Sequence, residues 1–328
     1  MLDPRLKVLQ AVDHYGTVTA AASALAYTPS ASSYQLRQLA ELLGVTLIEP
    51  SGRGVKLTPA ARIILRHTAI MQAQWEAARS ELAAAADEPS GQFTLCGFST
   101  ASTQLLPHAA AALRDRHPRL DVRLVQADPA ECFELVEMGT ADLALVMVTT
   151  DSPPLGDLRF DQQLLVDDPL DLVVPTSHPL ASRERVTLAD AAGESWIISR
   201  PESAYHHLTV AACVAAGFTP NLVHQADEWE TGAAMVSQEL GVTLVPRLGR
   251  LSSEWAVTRL RLSGEPVPAR RIVAATRKGA SSHPLVAETL ALIRSRCTSL
   301  YSDPSGGISP AGPHTTEDGG DTTRDETA

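Results

Sequence analysis

Residues 16–58, GTVTAAASALAYTPSASSYQLRQLAELLGVTLIEPSGRGVKLT, admit few folds. Thr17 and Thr19 are hydroxyl caps for a short helix over about 19–25. That helix is nearly all alanine, so a neighbouring helix can pack close on any face. Ala26-Tyr27-Thr28 forms a tight connection. Thr28 or Ser30 caps a second helix, Pro29 sits in its first turn, and Gly44 ends it. Ser30, Ser33, Tyr34 and Arg37 make the outer face of this helix, while Ala31, Leu36, Leu39 and Leu43 point inward. The apolar runs VTLI and VKLT then flank Ser51-Gly52-Arg53-Gly54, as in a β-hairpin with Arg53 and Lys56 beside its tip. Two short helices, a three-residue turn, a polar outer face and a basic hairpin describe a winged helix-turn-helix. The competing reading is an αα-hairpin followed by a β-hairpin with no role on DNA.

The remaining pattern divides the chain. Residues 3–14 form a supporting helix with Leu6, Leu9 and Val12 on one stripe. Thr58-Pro59 starts a long helix that meets no Gly or Pro until Pro89. Ala61, Ile64, Thr68, Met71, Trp75, Ala78 and Leu82 recur along it by threes and fours, a heptad seam suited to pairing with a second copy. After Asp87-Glu88-Pro89-Ser90-Gly91 the chain alternates strands and helices, which predicts a parallel sheet covered by helices. Strands are expected at 92–97, 120–126, 141–148 and 170–175, then at 196–199, 221–225, 242–245, 258–262 and 271–276. Helices fall at 105–117, 130–138, 205–216, 229–239 and 283–296. Going out and back makes two lobes joined by crossings near 165 and 265–277, with a cleft between them. Residues 301–328 are rich in Ser, Thr, Gly, Pro and acids and read as a disordered acidic tail.

Net charge of −11 argues at first against nucleic acid, but its distribution does not. Residues 1–66 carry seven Lys/Arg against four acids, so they are +3 and the rest is −14. A mildly basic front on an acidic body fits DNA binding by one module. No run of 18 apolar residues is present and the first residues lack an apolar leader core, so a cytoplasmic protein without membrane contact is expected. Cys96, Cys132, Cys213 and Cys297 are too scattered for a zinc site. They read as reduced thiols, with a redox pair as the alternative.

The N-terminal residues resemble the LysR-type family of bacterial transcriptional regulators. The likeness is carried by Gly16-Thr17-Val18-Thr19-Ala20-Ala21-Ala22-Ser23-Ala24-Leu25, by Ser30, Ser33, Leu36 and Leu39, and by Leu47-Ile48-Glu49-Pro50 and Leu57-Thr58. His117-Pro118-Arg119-Leu120 and Gly139-Thr140-Ala141-Asp142-Leu143-Ala144 resemble the same family's effector-binding domain. Ala20, Tyr34 and Pro50 stand where arginine is common in the family, and Ala40 where glutamate is common. The resemblance implies a mostly α winged helix-turn-helix (1–58) and a linker and dimerisation helix (59–88). It implies next an α/β two-lobed effector-binding domain of periplasmic-binding-protein type, lobe 1 being 92–165 with 277–300 and lobe 2 being 166–276.

On DNA, the expected contacts are Thr19, Thr28, Pro29, Ser30, Ser33, Tyr34, Gln35 and Arg37, with Arg53 and Lys56 on the wing. Three absent arginines predict a shallow salt dependence, since each lost phosphate contact lowers the log–log slope by about 0.9. For the effector, Ser99, Thr100 and Ser102 offer hydroxyls and free amides, and by resemblance their loop lines the pocket. Asp128, Met147, Ser199, Arg200, Pro201, Asp227 and Val245 end strands, where ligands gather in open α/β sheets. Arg200 favours an organic acid; Asp128 and Asp227 argue the other way. No nucleophile elbow, HExxH, P-loop or dinucleotide fingerprint occurs, so neither catalysis, metal nor cofactor is expected. The chain is expected to be a homodimeric or homotetrameric, effector-modulated DNA-binding regulator. The alternative is a small-molecule-binding or catalytic α/β protein with an N-terminal protein-interaction module.

Overall fold

The computed structural model describes residues 3–52, 54–86, 88–264 and 267–302; Arg53 and residues 303–328 of the expected tail fall outside the described residues, while Tyr301, expected in that tail, is buried at the end of the last helix. Helix α1 (Pro4–Tyr15) is capped by Asp3 and ended by Gly16 at φ +69°. Helix α2 (Val18–Ala24) is capped by Thr17 alone, whose Oγ accepts the Ala20 N–H at 3.1 Å. Thr19 therefore lies inside the first turn, exposed, and is not a cap. Helix α3 (Pro29–Leu43) is capped by Thr28, whose Oγ accepts the Ala31 N–H at 3.2 Å, and ends at Gly44 with φ +65°. Ala21 and Ala22 are wholly buried, which is why α2 must be built of alanine where α1 and α3 meet it. Leu6, Leu9, Val12, Leu36, Leu39 and Leu47 form the core of this unit, each worth about 1.5–3 kcal/mol when fully buried. Leu43, expected inside, is 39 % exposed because α3 outruns the core it packs on.

The wing pairs β1 (Ile48–Ser51) with β2 (Gly54–Leu57), antiparallel, from Ile48↔Leu57 to Ser51↔Gly54. Its outer end is tied to the residue that ends α1: the Val55 N–H donates to the Gly16 carbonyl at 3.2 Å. Thr58 Oγ donates to the Thr46 carbonyl at 2.7 Å and accepts the Ala61 N–H at 3.1 Å, so one hydroxyl joins the wing to the next helix. That helix, α4 (Pro59–Ala84), runs 26 residues, or roughly 40 Å. The expected heptad seam splits. Ala61 and Thr68 are buried within the chain, whereas Met71, Trp75, Ala78 and Leu82 are exposed, joined by Ile63 and Ile70.

In the first lobe β3 (Gly91–Gly97) is followed by α5 (Ser99–Gln104) and α6 (Leu106–Arg116). The second is the helix expected at 105–117; the first is an additional short helix, and the break between them falls at Leu105. Strand β4 (Leu120–Gln126), helix α7 (Pro129–Glu137) and strand β5 (Leu143–Met147) follow. Strand β6 (Phe160–Pro175) then leaves for the second lobe. That lobe holds β7 (Ser195–Ile198), α8 (Ala204–Ala215), β8 (Asn221–Gln225), α9 (Trp229–Ser237), β9 (Thr243–Pro246) and β10 (Val257–Leu260). The chain returns through β11 (Ala269–Arg277) to α10 (Pro284–Ser302).

The sheet is mixed, not purely parallel. Strands β4, β3 and β5 are parallel, but β11 runs antiparallel to both β5 and β6 because it re-enters from the other lobe. Residues 160–169 of β6 pair with β11, and residues 170–175 pair with β9 and β10, so one strand belongs to both lobes. Both faces of the first lobe's sheet are covered. Leu95, Leu143, Ile272 and Ala274 meet α6 and α10; Cys96, Ala144, Val273 and Ala275 meet α7.

Candidate functional site: a reading helix and an interlobe groove

The N-terminal half of α3 presents its polar side outward. Thr28, Pro29, Ser30, Tyr34 and Arg37 are exposed, and the Tyr34 ring is 57 % accessible. Ser33 is half-buried. The Thr28 and Ser30 hydroxyls lie 3.1 Å apart at the helix N-terminus, where backbone N–H groups and the helix dipole attract phosphate. Gln35 was expected outside; instead it is half-buried and its Oε1 faces the interior without a hydrogen-bond partner among the described residues. Lys56 is exposed on β2 of the neighbouring wing. Helix face, capped N-terminus and wing thus offer exposed hydroxyls, an aromatic ring and, among the described residues, the cations Arg37 and Lys56.

The second site is a groove of about 770 Å³ between the lobes. Met147, Thr149 and Thr150 line it where β5 ends, His207 and Leu208 on α8, and Arg271 on β11. Of the expected effector residues, Met147 is among those that line this groove. Ser99 is exposed at the start of α5, Thr100 is buried beside it, and Ser102 Oγ donates to the Gly97 carbonyl at 2.8 Å. Asp128 is exposed ahead of α7. Arg200 does not reach the groove as a free cation: Asp227 holds it at 3.1 Å and accepts its backbone N–H at 3.0 Å. Pro201 is exposed next to it, and Ser199 is buried with its Oγ unpartnered among the described residues. Val245 is a correction. It is fully buried among Val173, Ile197 and Val236, so it shows a ligand no surface. The α8 face and Arg271 escaped sequence reading because only strand ends carry a recognisable signal there.

Beneath the groove lies a buried ion pair. Asp168 on β6 and Arg270 on β11 are register partners, 0 % and 4 % exposed, with Arg270 Nε donating to Asp168 Oδ2 at 2.9 Å. Asp168 Oδ1 also accepts the Leu248 N–H at 3.1 Å and the Tyr301 hydroxyl at 3.2 Å. The Arg270 guanidinium lies 4.9 Å from the centre of the Phe98 ring. Burial pushes the Asp168 carboxyl up, against the pull of Arg270, the Leu248 amide and Tyr301. The cluster sits where β6 passes from one sheet to the other, and it gathers residues from both lobes.

All four cysteines are buried. Cys96 and Cys132 are neighbours, the Cys96 Sγ lying 3.9 Å from the Cys132 carbonyl. Hydrogen bonding to Cys132 and burial push the Cys96 thiol up; burial pushes Cys213 up to about 12 and Cys297 up to about 11. Reactive thiols need the thiolate and access, and neither condition is met at these three.

Two family models match the chain. One, described as bacterial regulatory helix-turn-helix protein, lysR family, covers residues 4–62; the other, described as LysR substrate binding domain, covers residues 86–298. The chain is similar to the uncharacterized HTH-type transcriptional regulator YybE of Bacillus subtilis strain 168. They are 29% identical over 259 residues, 79% of this chain and 87% of the relative. It is also similar to the transcriptional dual regulator GltC of that strain, 29% identical over 220 residues, 66% of this chain and 71% of GltC. Among solved structures, its fold is similar to a cysteine mutant of Corynebacterium glutamicum OxyR with hydrogen peroxide bound. That match is 21% identical, covers 91% of this chain and 93% of the other, and has a TM-score of 0.58.

Proposed function

Because the chain belongs to the LysR family of bacterial helix-turn-helix regulators, we propose that it reads an operator with α3 and the wing and senses a small molecule in the interlobe groove. It is a DNA-binding transcriptional regulator with an effector-binding domain. The observation that carries the finer reading is the exposed α3 face, Ser30, Tyr34 and Arg37, beside a wing bearing Lys56. We read Arg37 as its main cation toward base or phosphate, and no catalytic role for the chain. We place the domain limits at 58 and 88, and the two crossings between lobes near 169 and 269, where β6 and β11 meet the edge of the first lobe's sheet. No helix among the described residues is long and apolar enough to cross a membrane. Two copies would pair along the outer stripe of α4, where Ile63, Ile70, Met71, Trp75 and Leu82 are exposed. Pairing supplies the two half-sites that a single helix-turn-helix lacks.

For the effector we propose an organic acid. Arg271 and the Thr149 and Thr150 hydroxyls would take the carboxylate, and Met147, Leu208 and Val267 the apolar part. Asp167 already holds Arg271 at 3.0 Å, so the ligand has to share or displace that carboxylate. An effector that prefers one lobe arrangement shifts the DNA-binding population by its difference in affinity. Peroxide acting on a thiol is not the signal here, given the buried cysteines. Cys96, Cys213 and Cys297 of the native protein should resist DTNB for hours and react on unfolding; rapid labelling of one of them would reverse this.

The DNA reading is tested by anisotropy and footprinting on the upstream region of the protein's own gene, at two salt concentrations. Arg37→Ala should weaken binding roughly 10- to 100-fold, the loss of about 1–3 kcal/mol typical of one bidentate base contact. The protected region should span at least two helical turns. Equal, weak binding of both proteins to any DNA would instead make the first 58 residues a protein-contact module.

A further inference from the structure

Strand β11 touches two places that matter. Ala269, Arg270 and Arg271 at its start line the interlobe groove, and Arg270 is locked to Asp168. Arg277 at its end grips the linker helix: its Nε lies 3.2 Å from Glu76 Oε1 on α4. The same guanidinium donates to the Ala141 carbonyl at 2.7 Å and to Asp142 Oδ1 at 2.9 Å, so it is fixed to its own lobe while it holds α4. Arg277 and Glu76 are only 13 % and 12 % exposed, which protects the pair from the screening that weakens surface ion pairs.

Close backbone contact reinforces this grip. Gly279 has φ +87°, and a Cβ there would fall 2.2 Å from the Ala73 carbonyl oxygen of α4. Ser80 Oγ lies 3.4 Å from the Gly279 carbonyl. Further along, Glu134 on α7 receives the Tyr15 hydroxyl at 3.1 Å and pairs with His14 Nε2 at 2.6 Å. The DNA-reading unit and its linker are thus both docked on lobe 1 of the same chain.

Between Arg270 and Arg277 the strand is stiff. It is paired on both sides, to β5 and β6, and Ile272, Val273, Ala274 and Ala275 are buried on both faces. The one irregularity in its pairing, between Ile272 and Val273, is a residue skipped on β6, so β11 itself is continuous. Seven residue steps carry Arg277 about 23 Å from Arg270.

We propose that β11 is the rod that couples the interlobe groove to the linker helix, with the Arg277–Glu76 contact as its clasp. A change in lobe arrangement at Asp168–Arg270 is delivered along the strand to residues 73–80 of α4 and from there to the reading helix. The regulatory use rests on the groove being the effector site; the mechanical coupling does not.

The test is a double-mutant cycle on the full chain, read by hydrogen exchange of amides 73–80. Glu76→Gln opens the clasp. Tyr301→Phe removes one hydrogen bond from Asp168, and Arg270→Lys is the stronger hinge variant; either suffices if the other misfolds. Each single variant should raise exchange at 73–80 about fivefold, and the double variant should exchange no faster than the faster single one. Sites this far apart with no shared partner otherwise act additively. Multiplying effects, or no change at 73–80 in the hinge variants, overturns the proposal. The readout uses neither DNA nor effector, so coupling found in a protein that ignores its upstream region would sink the operator reading and leave the rod standing.

Discussion

Asp168→Ala is expected to lose about 3–5 kcal/mol of folding stability, the usual cost of removing one partner of a buried ion pair. The substitution leaves the Arg270 guanidinium in a site 4 % exposed with no carboxylate opposite. It also orphans the Leu248 N–H and the Tyr301 hydroxyl, which Asp168 now satisfies. Replacing both partners, as in Asp168→Leu with Arg270→Met, should recover much of that loss, because the penalty is the unpaired charge and not the missing attraction. Urea unfolding of the two variants against wild type decides the matter. A loss below 1 kcal/mol in Asp168→Ala would mean that water reaches Arg270 and that the cluster is not the sealed pivot described above.

Gly279→Ala should have the second largest effect, and it acts through the backbone. A residue with a side chain is strained at φ +87°, and the new Cβ cannot share space with the Ala73 carbonyl 2.2 Å away. Strain and overpacking each ordinarily cost about 1–3 kcal/mol. Retreat of α4 from lobe 1 is the cheapest relief. The variant should therefore melt at lower temperature and be cut faster by protease within residues 73–86. Gly156→Ala, where nothing lies within 4 Å of the added Cβ, is the control and should behave as wild type. Equal proteolysis of both would show that α4 does not depend on this close approach.

The parts legible in the sequence are those whose signals are local. Thr17, Thr28 and Thr58 are caps, Gly16 and Gly44 are stops, and Pro29 and Pro59 are starts, so α2, α3 and α4 fall within a residue or two of expectation. Long-range pairing is where reading fails. The first half of β6, FDQQLLVDD, has too many polar residues to look like a strand, and Asp168 can be buried only because Arg270 arrives from 102 positions away. Val245 ends a strand as a ligand residue might, but the second lobe's core closes over it. Arg200 looks available until Asp227 is seen beside it. On α4 the alanines hide which side is which: Ala69, Ala73 and Ala77 face lobe 1, while Ala78 faces out.

The two sides of α4 carry a consequence for how such a chain can evolve. The stripe docked on lobe 1 is small and polar, and the opposite stripe is large and apolar. Apart from Trp75, which also borders the cavity between α4 and lobe 1, substitutions that alter one stripe leave the other's chemistry intact. A lineage could change which copies associate, or how strongly, without retuning the signal that reaches the DNA.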